Sequence, residues 1–277
     1  MPVIALTQEM GSLAKDVALR LGETANLDVM RNEVVDNVAG RMRIAPSLIR
    51  RLREGKARLV ERLGTDREQV ALYTAEEVYA QAERGNVVLR GWGATCLLRP
   101  VQHVVRVRVT RRFDQRVDWL MEHLGTDERG AAEAEVRRSD AAHAARMNAQ
   151  FGVSWGDPLL YNMVLNTSRI SVDSCVALIR TLCDRPEFQE TEQSRAVLAS
   201  LALSARVRAA LKANESTREV DVQIEAHEGR VALRGLVVSE QEKQEAERVA
   251  SSVVGLGRVD NHLGLMAVTR LFTYAKT

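Results

Sequence analysis

Val3-Ile4-Ala5-Leu6-Thr7-Gln8-Glu9-Met10-Gly11-Ser12-Leu13-Ala14-Lys15-Asp16-Val17-Ala18-Leu19-Arg20-Leu21 opens the chain almost at its first residue. Val3 to Leu6 form a continuous apolar run, the pattern of a strand covered on both faces. The run turns polar at Thr7-Gln8-Glu9 and is broken by Gly11-Ser12. Leu13, Val17, Ala18 and Leu21 then recur on one side of a helical repeat. Strand, glycine turn and helix together predict the first unit of an α/β fold.

The pattern extends outward from there. Residues 26–84 read as helical, punctuated at Ile44-Ala45-Pro46-Ser47 and Leu63-Gly64-Thr65-Asp66. Arg41, Arg43, Arg50, Arg51, Arg53, Arg58 and Arg62 crowd this stretch and read as a solvated helix face. Asn86 to Ala94 predicts a second buried strand ending in a glycine turn, and His103 to Val109 a third. In the third strand Val107 and Val109 alternate with Arg106 and Arg108, which predicts a wet face or an edge position. Helices are expected over 111–124, 128–150 and 171–184, with loops at Asp157-Pro158 and Asn166-Thr167-Ser168.

At Asp184-Arg185-Pro186-Glu187 the pattern changes. A helix (196–213), two alternating strands around Glu228-Gly229, a helix (239–253), a Gly255-Leu256-Gly257 turn and a strand (258–265) follow. The alternation around Gly229 predicts a half-exposed antiparallel hairpin. The chain is therefore expected to hold two domains, 1–185 and 194–268.

Composition narrows the function classes. A net charge of +2 over 277 residues rules against a molecule-wide electrostatic nucleic-acid binder. Aromatic residues at 4% argue against a base-stacking single-strand binder. Three cysteines without paired spacing and an amino terminus without a signal-peptide pattern read as a reduced, cytoplasmic protein. No stretch of about eighteen apolar residues predicts a transmembrane span. The histidines form no triad or zinc spacing, and no residue set is assigned as metal ligands.

Three ordered stretches resemble the cytidylate-kinase-like family of nucleoside monophosphate kinases: Ile4–Ala18, Gly85–Ala94, and Tyr161-Asn162-Met163-Val164-Leu165-Asn166-Thr167. Residues 194–266 resemble a BON module, through Val231-Ala232-Leu233-Arg234-Gly235-Leu236-Val237 and the turn from Val254 to Asn261. The resemblance implies a P-loop NTPase-like three-layer α/β/α domain with a parallel sheet, then a small αββαβ domain. It also implies ATP and Mg2+ as cofactors and a homo-oligomer.

Phosphoryl transfer needs amide N–H groups and cations held around phosphate, and a glycine turn at a helix N-terminus supplies the amides. Gly11, Ser12, Lys15 and Asp16 are the candidate phosphate-loop residues, with Lys15 as the catalytic candidate. Leu13 and Ala14 stand where the resemblance expects paired glycines, and bulk there strains the turn and crowds the phosphate. Asp16 stands where a P-loop carries Ser or Thr for magnesium; its plain reading is an acid favoured by the helix dipole. Trp92 replaces an arginine suited to phosphate; it is a nucleotide-binding candidate that would stack on a base, its plain reading being a buried or interface tryptophan, and Arg90, two residues earlier, is the candidate to compensate. Arg138 and Arg146, near two helical turns apart, are candidates to face one ligand. His143 reads as a polar surface residue. Asn162 replaces an aspartate and cannot act as a base.

These departures favour a protein that binds or senses a nucleotide with weak or absent phosphoryl transfer. An active ATP-dependent nucleoside monophosphate kinase is the alternative. A third reading makes the BON-like part the working module, contacting protein or phospholipid. Its stripe Ala246, Val249, Ala250 and Val253 reads as core rather than membrane face. The expected partners are a nucleotide or related phosphate ligand and a protein bound through the BON-like part, with no nucleic acid.

Overall fold

The computed structural model describes residues 1–30, 32–53, 56–58, 60–61, 64–91 and 93–266. The chain divides into two compact units, Met1–Leu198 and Ala199–Thr277.

In the first unit, β1 (Val3–Gln8) is followed by α1 (Ala14–Ala25), β2 (Asp28–Met30), α2 (Asn32–Met42), α3 (Pro46–Arg53) and α4 (Arg67–Arg84). Then come β3 (Val87–Arg90), the short α5 (Ala94–Leu97), β4 (Val104–Thr110), α6 (Phe113–Leu124), α7 (Arg129–Phe151), β5 (Met163–Asn166) and α8 (Val172–Cys183). The strands form one parallel sheet in the order β2-β3-β1-β4-β5. Helices cover both faces, as a parallel sheet requires. Ile4, Leu6, Val88, Val105, Val107 and Val109 point to one face and pack with Val17, Ala18 and Leu21 of α1 and Ile179 of α8.

Two expectations fail here. The span 26–84 is not wholly helical, because Asp28–Met30 pairs with Val87–Leu89 as the edge strand β2. Three residues on a sheet edge are too few to show a period of two. Nor does β4 have a wet face or an edge position: it lies between β1 and β5, and Arg108 is 8% exposed. Its guanidinium donates to Glu9 Oε1 at 2.7 Å and to the Trp155 carbonyl at 2.6 Å, and sits 4.2 Å from the Trp155 ring. Distant partners thus make burial of that charge tolerable.

Helix α9 (Glu192–Ala213) runs across the division between the units. Its start is a reciprocal cap in which Thr191 N–H donates to Ser194 Oγ and Ser194 N–H to Thr191 Oγ1. The remainder of the second unit is β6 (Gln223–His227), β7 (Arg230–Val237), α10 (Glu240–Val254) and β8 (Val259–Leu265). β6 and β7 form the antiparallel hairpin, and β8 adds parallel to β7. Ala246, Val249 and Ala250 of α10 are buried with Val231, Leu233 and Leu263, so that stripe is core. Among the described residues, no helix is long and apolar enough to cross a membrane.

The buried His103 lies 2.7 Å through Nδ1 from Ser194 Oγ. Burial pushes its pKa below the ordinary 6.5, against a smaller upward pull from Glu190. The folded state therefore holds fewer protons than the unfolded one, and this stability is complete above the ordinary value and lost as pH falls below it. Thermal melts between pH 8 and pH 5 are expected to fall more steeply for the wild type than for His103→Gln; parallel profiles would exclude the effect.

Candidate phosphate-binding site

Parallel α/β sheets bind ligands at the carboxyl ends of their strands, where neighbouring connections diverge. That location holds a cleft of about 630 Å3 lined by residues following β1 and β3 and by α6 and α7.

The turn after β1 shapes its floor. Gly11 has φ of +75°, and a Cβ there would meet the Arg116 Cα and carbonyl oxygen at 3.0 Å. Leu13 also lies in the left-handed region, at φ 60° and ψ 14°, and Ala14 begins α1. Of the two positions where glycine is expected, only the first therefore carries backbone strain. No side chain caps the N-terminus of α1, and the first intrahelical bond there runs from Val17 N–H to the Leu13 carbonyl. The amides ahead of it point out of the helix start. Ser12 is 1% exposed, lines the cleft, and its Oγ has no hydrogen-bond partner.

Cations surround this turn. Lys15, Arg50, Lys56, Arg90 and Arg146 all line the cleft. Lys15 is exposed on the first turn of α1, whereas Arg90 is 5% exposed at the end of β3. Arg146 is half-buried, and burial lowers the pKa of its guanidinium. Lys56 lies 3.1 Å from Glu135, and Arg50 lies 3.7 Å from Asp36. Two further arginines of this stretch are engaged elsewhere: Arg41 pairs with Glu76, and Arg51 with Glu61 at 2.5 Å.

Glu9 and Asp16 are the lining carboxylates. Glu9 accepts from Arg108 at 2.7 Å, Thr110 Oγ1 at 2.6 Å and the Arg111 amide at 3.3 Å, with Arg116 Nε 3.7 Å away. Arg116 in turn makes a two-point pair with Asp140 of α7, at 2.9 and 2.5 Å. Glu9 is structural: together with Asp140 it balances the two buried arginines behind the turn. Asp16 is exposed in the first turn of α1.

Gly11, Ser12, Lys15, Asp16, Arg90 and Arg146 thus meet in one cleft. Arg138 is not brought to it with Arg146. Eight residues overshoot two turns by about 80°, and Arg138 instead pairs with Glu135 at 2.7 Å. Trp92 lies outside the described residues. His143 is not a surface residue: it is half-buried, lines the cleft and stacks on Trp155 with centroids 4.1 Å apart. Asn162 is exposed and away from the cleft, its Oδ1 accepting from the Arg106 amide at 2.9 Å and from Nε at 3.2 Å. Its amide therefore says nothing about a missing base. Thr167 is more than a turn residue, because its Oγ1 donates to the Ser12 carbonyl at 2.8 Å.

Sequence reasoning missed Glu9, Trp155 and Trp119. Trp155, 5% exposed, donates from Nε1 to Thr7 Oγ1 at 3.0 Å, and its carbonyl accepts from Tyr161 at 2.7 Å. A lone tryptophan in a loop gives no periodic signal. For Glu9 the signal is its place, a carboxylate two residues before Gly11 at the end of an apolar strand.

Strand order, an uncapped helix start after a glycine turn, and a cationic cleft define a kinase-like P-loop fold. The chain belongs to the cytidylate kinase-like family, whose model matches residues 3–169. A BON domain is matched over residues 201–265. Among solved structures, an uncharacterized protein from Eubacterium ventriosum is similar at 20% identity and TM-score 0.53, covering 66% of this chain and 99% of that one. A shikimate kinase from Bacteroides thetaiotaomicron is similar at 15% identity and TM-score 0.44, covering 66% and 99%. No curated protein matches the chain.

Two substitutions test the floor of the cleft. Glu9→Ala leaves Arg108 and Arg116 buried beside an empty position and is expected to cost about 3–5 kcal/mol in urea unfolding; a loss under about 1 kcal/mol would mean the pair is solvated. Gly11→Ala forces a Cβ against backbone in a left-handed conformation and is expected to cost about 1–3 kcal/mol. An unchanged midpoint would show that the turn relaxes freely.

Proposed function

We propose that the first unit binds a nucleotide or related phosphate ligand in this cleft, with phosphoryl transfer weak or absent. The observation that carries the reading is the meeting of an uncapped helix start, the buried Ser12 hydroxyl and the Lys15, Arg90 and Arg146 cations in one cleft. Amides at a helix start and charge-assisted donors suit phosphate oxygens.

The residues fit a phosphate chain. Lys15 and Arg146 would neutralise its charge, and Ser12 Oγ–H and the amides after Leu13 would donate to its oxygens. For Mg2+ the fit is narrower: among the described residues no three His, Cys, Asp or Glu side chains gather for a metal. Asp16 is the carboxylate available beside the loop, so a bound Mg2+ would draw its remaining ligands from phosphate and water. The metal would supply charge neutralisation for phosphate when bound.

Weak transfer follows from the same residues. Leu13 places a four-carbon side chain at the turn that meets phosphate, and Asp16 offers charge where a hydroxyl is expected. Glu9 is held by two arginines and cannot take a proton from an attacking hydroxyl without unpairing them. The BON domain is proposed to supply a protein contact.

Calorimetry with ATP, CTP, CMP and tripolyphosphate tests binding, and a coupled assay tests transfer. Binding that Lys15→Ala weakens about 10–100-fold is expected, from the loss of one charge-assisted contact. Absence of binding to every phosphate ligand would sink the reading. Turnover at ordinary kinase rates of about 1–100 s⁻¹ would sink the weak-transfer half alone.

A further inference from the structure

Resting on the phosphate reading above, we infer that the Trp119–His123 pair on α6 is a stacking platform for the nucleobase of the bound ligand. The two residues are one helical turn apart and both line the cleft. Their rings stack with centroids 3.8 Å apart and planes 27° apart. Trp119 is the half-buried inner member and His123 the exposed outer one. His123 Nδ1 also lies 2.9 Å from the Trp119 carbonyl oxygen, an acceptor only, so that nitrogen carries the proton.

One face of the imidazole is thus pinned by the indole and one edge by the backbone, while its other face is turned outward. A ring already fixed in place loses little freedom when a further ring adds to the stack, which favours binding. The surroundings match in kind. Leu120 and Leu124 of the same helix and Val35 of α2 line the cleft, and Leu124 is 63% exposed. The lining therefore has two characters: cations around the turn after β1, and a flat aromatic and aliphatic wall from α6. Inorganic phosphate satisfies only the first. A ligand with a phosphate chain at one end and a planar heterocycle at the other satisfies both.

The experiment separates the two ends of the ligand. Calorimetry is run with ATP, CTP and tripolyphosphate on the full chain, its folding checked by thermal melting, for the wild type, His123→Ala, His123→Phe and Trp119→Leu. Loss of one stacked base corresponds to roughly tenfold in affinity. His123→Ala and Trp119→Leu are expected to weaken both nucleotides by about that factor and to leave tripolyphosphate within about twofold of the wild type. His123→Phe, which keeps an aromatic face, is expected to restore nucleotide binding. Equal losses for nucleotide and tripolyphosphate, no loss, or failure of His123→Phe to restore would overturn the platform. A wild-type chain that binds tripolyphosphate as tightly as ATP overturns the platform and leaves the phosphate site standing; one that binds neither overturns both.

Discussion

Glu9 is the residue on which the geometry of the cleft depends. Its carboxylate sits between Arg108 of β4 and Arg116 of α6, each less than 10% exposed. Charges of that kind are tolerated inside a protein only when paired and hydrogen-bonded. The pairing fixes α6 against the end of β1, and the Arg116 backbone then leaves room at Gly11 for a hydrogen but not for a Cβ. Asp140 carries the same network into α7, the helix that supplies His143 and Arg146 to the cleft. One ion network therefore sets the spacing between the floor of the site and its cover.

Trp155 extends that logic sideways. Its indole N–H reaches Thr7 on β1, its carbonyl takes Arg108 and Tyr161, and its ring lies under His143. An indole combines a large apolar face with one donor, so a single residue can fill space and satisfy a polar partner. Without it the Arg108 guanidinium would lose both the carbonyl it donates to and the ring it lies over. Arg108 is stable in its buried place on β4 because Trp155 and Glu9, from two separate connections, both engage its guanidinium.

This explains which parts of the molecule are legible in the sequence. β1, the glycine turn and α1 are readable because each is specified by its own residues: an apolar run, Gly11, and a helical repeat through Val17 and Leu21. The hairpin at Gly229 and the α10 stripe are readable for the same reason. β2 is hidden because three edge residues carry no period. Arg108 misleads because alternation on β4 reports polarity, whereas its burial is decided by Glu9 and Trp155, about a hundred and fifty residues apart in sequence. The cleft residues on the opening turn are visible as a motif. The aromatic pair of α6 is visible only once the fold brings Trp119 and His123 into the same cleft as Lys15.

The turn itself is the sharpest case. Leu13 holds a left-handed backbone that costs a non-glycine residue roughly 1–2 kcal/mol, and such strain persists where neighbours over-determine the conformation. They do so at the two residues before it. Thr167 Oγ1 ties the Ser12 carbonyl, Ser12 N–H donates to the Glu9 carbonyl at 3.2 Å, and Gly11 is wedged against Arg116. The scaffold imposes the shape of the loop: Gly11 is required by its contact with Arg116, whereas position 13 takes its left-handed conformation without a glycine. Leu13 therefore holds the strained position and Ala14 opens the helix without diverting the course of the turn. The course of the turn is thus carried by its neighbours, and the lysine and the helix start keep their places on it.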